Sequence, residues 1–287
     1  MSGLRARLAL NAALALLVGA LAFAAYRHLH PAASAPPPPM LHLTAAQVTH
    51  IEIDRPGRPA IVLQYTPGGW RLTHPFAARA DADNVGRVLD ILAARPSQRL
   101  KSTHRARFGL NRPMLTLTLN QVTLRFGTLN PLTGEQYVGV GATIDLISPS
   151  YLAGALKRAV DFTAKNLLSA TDVPVGFDFP RWRAARRQGQ WFASPPSLAV
   201  DENELNGFAD RWRRASALLA QPAEPGRRAE ESFTVRLADG RSIPMAVLAR
   251  TPELVVLRRD EGIEYFMPRT AAARLLDPPT APLPGRS

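Results

Sequence analysis

The sequence has no cysteine. That excludes disulfides, cysteine-ligated zinc and thiol catalysis, and with them anchoring through an acylated cysteine. The redox compartment stays open, because exported proteins also exist without disulfides. Aromatic residues are few, at 7%, so the cores are expected to lean on Leu, Val, Ile and Ala. A nucleotide cradle is missing: Gly139 and Gly141 lack the third glycine and the following helix of a dinucleotide loop. No Gly-x-Ser-x-Gly elbow occurs. The six histidines have no metal-ligand spacing. His28, His30 and His42 fall in or near the N-terminal tether, and His50, His74 and His104 read as solvated or structural. No catalytic, cofactor-binding or metal-binding residue is assigned, and the expectation is a protein that is not an enzyme.

What is present begins with charge. The 287 residues carry a net +12, with 46% hydrophobic and 20% charged residues, a globular composition long enough for roughly two domains. Residues 41–171 hold 15 Lys+Arg against 8 Asp+Glu, whereas 172–287 hold 17 against 15. The excess therefore sits in the first half and beside the N-terminus, at Arg5, Arg7 and Arg27. Such a balance favours anionic partners or an anionic membrane surface and does not specify a fold.

Residues 8–25 are apolar apart from Asn11. Eighteen helical residues span roughly 27 Å, close to the hydrocarbon thickness of a bilayer. Arg5 and Arg7 precede the run, so the positive-inside tendency keeps the short arm in the cytoplasm and sends the rest out; Arg27 weakens that asymmetry. The expectation is a single-pass protein of the inner membrane: an arm at 1–7, an anchor at 8–26 and a proline-rich linker at 27–47, stiffened over 31–39. A cleaved signal peptide is the competing reading, since Ala22-Phe23-Ala24 and Ala33-Ser34-Ala35 resemble cleavage sites, although Pro36 is expected to block the second.

Beyond the linker the patterning reads as α+β. Ile51 and Ile53 alternate with Glu52 and Asp54, as in a half-buried strand. Strands continue at 61–65 and 70–73, with Pro67-Gly68-Gly69 as the turn. Val85, Val88, Leu89 and Leu92 form one apolar helical face, Asp81 or Asp83 supplies the N-cap, and Pro96 stops the helix. Strands follow at 115–119, 122–126, 136–140 and 143–147, and Pro149 starts a short helix through Leu156. The same order then recurs about 120 residues on. Trp191 answers Trp70, Pro195 answers Pro75, and Asp201 answers Asp81. Leu205, Phe208, Ala209 and Trp212 answer the first helical face. Phe233 to Leu237 answer Leu115 to Leu119, and Ile263-Glu264 answers Ile144-Asp145. A period this long means tandem domains rather than a solenoid. The expected architecture is two internally duplicated lobes, 48–171 and 172–276, each an antiparallel-rich sheet with helices on one face, and a disordered tail at 277–287.

The carboxylates Asp81, Asp83, Asp201, Glu202 and Glu204 read as helix-capping groups, Ser148 and Ser150 likewise, and Trp70 and Trp191 as core anchors rather than ligand platforms. The most suggestive cluster is Arg95, Arg99, Lys101, Arg105, Arg107 and Arg112, which no acid interrupts between Asp90 and Glu135. It is either a solvated loop between helix and hairpin or an anion-contacting surface. With only Phe108 interleaved, and lying outside the cytoplasm, it does not point to nucleic acid.

Trp70-Arg71-Leu72-Thr73-His74-Pro75, then Ala80-Asp81 and the first helical face, resemble the opening signature of the domain-of-unknown-function family 4340. Phe108-Gly109-Leu110-Asn111 with Pro113 is similar to that family's Gly-Leu turn. Phe126-Gly127, Gln136-Tyr137-Val138, 144–151 and the closing segment 161–168 follow in order. The resemblance covers 48–168 and is carried by the order of these motifs. It implies a membrane-tethered, extracytoplasmic protein similar to auxiliary components of gliding-type ABC transport systems, with transporter subunits as partners and no catalytic residues to carry over. The expected function is an accessory or scaffold module working through protein contacts in the envelope. The alternative is a binding module for an anionic envelope polymer or lipid headgroup.

Overall fold

The computed structural model describes residues 14, 16–23, 38–101, 104–198 and 200–279. The expected arm at 1–7, and the parts of the anchor, linker and tail beyond those bounds, lie outside the described residues. The chain divides into two units, Met1–Pro38 and Pro39–Ser287. In the first, Leu14 and residues 16–23 are helical with exposed side chains. Among the described residues no helix is long and apolar enough to cross a membrane.

The second unit is built on two antiparallel sheets with few helices, an α+β architecture. The first sheet comprises β1 (His50–Asp54), β2 (Ile61–Thr66), β3 (Gly69–His74), β4 (Ala78–Arg79), β5 (Gln98–Lys101), β6 (Leu115–Leu119), β7 (Val122–Leu129), β8 (Gln136–Val140) and β9 (Thr143–Ile147). Their order is β4-β3-β2-β1-β6-β7-β8-β9-β5. The second comprises β10 (Pro174–Asp178), β11 (Arg183–Arg187), β12 (Gln190–Ser194), β13 (Leu219–Pro222), β14 (Glu231–Leu237), β15 (Ser242–Ala249), β16 (Leu254–Arg258) and β17 (Ile263–Met267). Their order is β12-β11-β10-β14-β15-β16-β17-β13. Without the two-residue β4, the sheets share one order, position for position.

Helix α1 (Ala82–Leu89) and helix α2 (Glu202–Arg213) occupy equivalent places. The Asp81 carboxylate accepts from the Asn84 N–H at 2.8 Å, and Asp201 accepts from the Glu204 N–H at 2.7 Å, with Glu204 closing a capping box. These bonds satisfy helix donors that lack intrahelical partners. Val85 and Val88 face the first sheet's core, and Leu205, Phe208, Ala209 and Trp212 the second's. Leu89 and Leu92 complete the expected face, partly buried against the core, while α1 tightens into a 3-10 turn at Asp90–Ala93, where Ile91 is fully buried. The helix expected from Pro149 to Leu156 shortens to a 3-10 turn, Pro149–Leu152.

Trp70 and Trp191 take the same slot, each the second residue of its strand, opposite Tyr65 and Arg186. Both strands end at a cis X-Pro bond, His74-Pro75 and Ser194-Pro195. Two other matches shift. In the first lobe Gln136 pairs with Ile147, and in the second Leu254 pairs with Met267. Tyr265 therefore answers Asp145, not Leu146, and Glu264 points to the opposite face. A one-residue slip turns a strand over, and the alternation in β9 and β17 is blurred because both faces are buried. Phe233 likewise answers Leu117 rather than Leu115. Its partner Met245 pairs with Arg258, as Leu124 pairs with Val140, each the last residue before a hairpin turn. That two-residue shift keeps the buried face.

The second core also departs from the aliphatic expectation. Phe177, Phe179, Trp182, Phe208, Trp212 and Phe233 form one ring cluster with centroids 4.7–6.5 Å apart. The Trp182 and Trp212 indoles donate to the carbonyls of Leu276 and Leu275, 3.0 Å each, at the end of helix α3 (Ala271–Leu275).

Candidate functional site

The segment that joins the sheets is the first feature with chemical density. Ala80 bridges Thr163, and the Ala164 N–H donates to the Arg79 carbonyl. On the other side Asn166 bridges Ser216, and Leu167 and Ala217 exchange bonds with Ala215 and Lys165. Side chains reinforce this seam. Arg79 Nε lies 2.6 Å from Glu261 Oε1, and its Nη2 donates to the carbonyl of Asn166 (2.7 Å) and the hydroxyl of Tyr265 (2.9 Å). The Tyr265 hydroxyl donates in turn to Glu261 Oε2 at 2.9 Å. Arg258, almost wholly buried, donates to the Leu167 carbonyl at 2.7 Å and holds Asp260 at 2.7 Å.

Burial, with the Glu261 charge nearby, pushes the Tyr265 phenol well above its ordinary range, so it stays protonated. Burial works against the Arg258 charge, but Asp260 and Glu261 more than offset it and raise its pKa. The carboxylates Glu261 and Asp260 are held in ion pairs with Arg79 and Arg258. The cluster is a joint: it fixes the seam between the sheets. Sequence reasoning missed it, since Arg79 and Glu261 are 182 residues apart and neither belongs to a local motif.

The six cations of the basic stretch differ in their surroundings. Arg99 lies on the edge strand β5, opposite Asp145 of β9. Its Nε donates to Asp145 Oδ1 at 2.7 Å and its Nη2 to Oδ2 at 3.2 Å. That hydrogen-bonded carboxylate, itself fully buried, raises the Arg99 pKa. Arg105 starts the 3-10 turn Arg105–Phe108 on the opposite sheet face and donates to the Gly141 carbonyl at 2.8 Å. It lies over Gly139, where any Cβ would stand 2.5 Å from its guanidinium. Two of the six are therefore tied into the fold. Lys101, Arg107 and Arg112 are exposed, and none has a side-chain hydrogen bond or ion pair among the described residues. Arg95 is exposed just after Ala94.

The turn that carries Arg105 and Arg107 explains the glycines around it. A Cβ at Gly127 would stand 1.8 Å from the Phe108 carbonyl oxygen, so β7 must be bare there for the turn to dock. Phe108 then stacks at 4.6 Å on Tyr137, and Leu110 is buried. Gly127 thus serves close packing of backbone on sheet, and Gly139 leaves room for the Arg105 and Leu110 side chains.

Of the other residues singled out, Ser148 accepts from the Ser150 N–H at a turn start. Trp191 is buried and donates from its indole to Asn206 of α2 at 3.0 Å, whereas Trp70 is half-buried, edge-on to Tyr65. His50 approaches Glu52 at 4.0 Å. Among the described residues no three His, Asp or Glu side chains gather as metal ligands would.

Residues 70–176, which run from β3 through the first sheet to the start of β10, match the family model described as a domain of unknown function (DUF4340). No curated protein and no solved structure matches the chain.

Proposed function

We propose that this chain, which carries a DUF4340 domain over residues 70–176, is a non-enzymatic accessory or scaffold module, tethered to the inner membrane by one N-terminal helix. In this reading it serves an ABC-type transport system from outside the cytoplasm, through protein contacts. The apolar run 8–25 behind Arg5 and Arg7 supports the tether and its direction. The repeated strand order supports one unit used twice, and the buried joint at Arg79 and Glu261 supports a single stiff platform.

The observation that carries the protein-contact reading is the loop between β7 and β8. Leu132 is 93% exposed at its tip, beside the half-exposed Leu129. The loop is ordered from within: the Asn130 N–H donates to Glu135 O at 2.7 Å, the Gly134 N–H to Asn130 O at 2.8 Å, and the Leu132 N–H to Asn130 Oδ1 at 2.9 Å. Burying such a leucine in a partner contributes about 1.5–3 kcal/mol. Because the loop is already ordered, little of that is lost to ordering. Affinity isolation of the full chain in mild detergent should recover permease and ATPase subunits of a transporter, and Leu132→Asp should lose them. Recovery of the chain without transporter subunits would refute the reading.

A second reading, contact with an anionic envelope polymer or lipid headgroup, is favoured by Lys101, Arg107 and Arg112. These three exposed cations contact no carboxylate among the described residues.

A further inference from the structure

The second sheet holds a cavity of about 200 Å³ on the face away from α2. It forms where β10 breaks register between Pro174 and Gly176. A bulge of this kind unpairs and bends a strand, and here it leaves a hollow bordered by Ala185, Arg187, Arg236, Gly240 and Ser242. Register places the side chains. Gly176 pairs with both Ala185 and Arg236, and Arg236 pairs with Ser242. These four therefore share a face, and Arg187, two residues from Ala185, shares it too.

Arg236 is positioned by its surroundings and paired on one edge only. It lies flat over Gly176, where a Cβ would come within 2.7 Å of its Nε. Asp178 steadies it, with Nη2 donating to Oδ1 at 3.3 Å. Its Nε lies 2.9 Å from Asp178 Oδ2, so the two groups are ion-paired along one edge of the guanidinium, and the side chain is still 43% exposed. Arg187 is exposed, and its side chain makes no hydrogen bond or ion pair among the described residues. Three arginines, Arg186, Arg187 and Arg236, line the hollow with the Ser242 hydroxyl, and among the described residues Asp178 is the one carboxylate paired with them, so the hollow is positive. Its volume is below that of sites for drug-sized ligands, about 300–1,000 Å³, so it suits a small group. Guanidinium forks match tetrahedral and planar oxyanions.

We propose that this hollow binds a phosphate-class oxyanion, gripped by Arg236 and Arg187 with the Ser242 hydroxyl. The site lies in the second lobe, apart from the basic stretch and the Leu132 loop, so it stands or falls independently of the accessory role. The anion can be free phosphate or the phosphate of a lipid headgroup; the chemistry of the grip is the same.

The test is calorimetry of the full chain in uncharged detergent, titrated with inorganic phosphate at low ionic strength. One saturable site is expected. Arg187→Gln should weaken it about tenfold or more, as loss of a charge-assisted hydrogen bond would, and Arg107→Gln should not change it. Ala185→Phe fills the hollow from β11 and removes no charge, so it should abolish binding while the circular dichroism spectrum is retained. Saturable binding that Ala185→Phe leaves intact would overturn the site, as would heats that never saturate. Competition then separates the sources. Phosphate that displaces the chain from phosphatidic acid vesicles, but not from neutral ones, identifies a headgroup. Binding of phosphate with no vesicle binding identifies the free ion.

Discussion

Arg79 of the first sheet and Glu261 of the second meet at 2.6 Å, and each is largely buried, with side chains 15% and 6% exposed. Removing one partner leaves the other charge stranded, which costs about 3–5 kcal/mol for a buried pair. Arg79→Met should therefore lower stability in denaturant melts of the full chain by about that amount, and Glu261→Gln by less, because an amide still accepts from Arg79. The double variant Arg79→Met, Glu261→Met should be milder than the sum of its single changes. Strict additivity would show that the two residues do not act as a joint.

The two equivalent tryptophans should differ. Trp191 is 8% exposed, stacks on Phe177 at 6.1 Å and is bonded to Asn206. Trp191→Ala should cost about 3–5 kcal/mol, as other large-to-small core changes do. Trp70 is half-buried at the sheet margin, so Trp70→Ala should cost clearly less. Equal losses in parallel thermal melts would mean that the repeat fixes burial as well as position.

Gly127→Ala should be severe. Its methyl group would collide with the Phe108 carbonyl, so the turn at Arg105–Phe108 must lift off and expose Leu110. Increased protease cleavage near Arg105 and Arg107, with the second lobe unaffected, is the expected sign. Gly86→Ala, whose Cβ would meet nothing within 4 Å in α1, should be neutral or slightly stabilising.

Acid should loosen the link between the lobes. Burial alone would raise the Asp172 pKa, but the Ser169 N–H and Arg241 together pull it below the ordinary carboxylate range. A depressed folded value means that the stabilisation is present above the unfolded value of about 3.9 and is lost as pH falls through the lower folded one. Asp172→Asn should lower stability near neutral pH and flatten the acid limb of the stability curve. An unchanged acid limb would remove Asp172 from the account.

Charge reversal at Lys101, Arg107 and Arg112 should weaken attachment of the full chain in nanodiscs to anionic vesicles at low salt. Each cation near such a surface contributes about 1 kcal/mol, and salt screens it. Arg99→Glu should instead destabilise the fold through Asp145. Vesicle binding unchanged by the triple reversal would exclude a lipid role for this surface.

Much of the first sheet was legible. Strands β6, β8 and β9 begin and end where the sequence reading places them, and in β6 strict alternation decides which residues face the core. β5 was not legible: Gln98–Lys101 is charged and reads as loop, yet it pairs with β9 because Arg99 finds Asp145. Three strands of the second sheet, β15, β16 and β17, lacked a clean period, since they are buried on both faces. The repeat was visible at Trp70 and Trp191, but its register at β17 was not, for the same reason. The hollow beside Arg236 depends on a bulge, which leaves no mark in the pattern of side chains.

The central claim is that the ordered apolar loop is a protein-contact surface of a membrane-tethered module. The most direct test places a photo-crosslinking amino acid at position 132 of the full chain in its native membranes, with position 64 on β2 as the control. The account predicts crosslinks from position 132, and not from position 64, to the subunits of one transport system, lost when Leu129 is changed to Asp. Crosslinks from position 132 to lipid alone, or none at all while the protein is folded and membrane-bound, would contradict it.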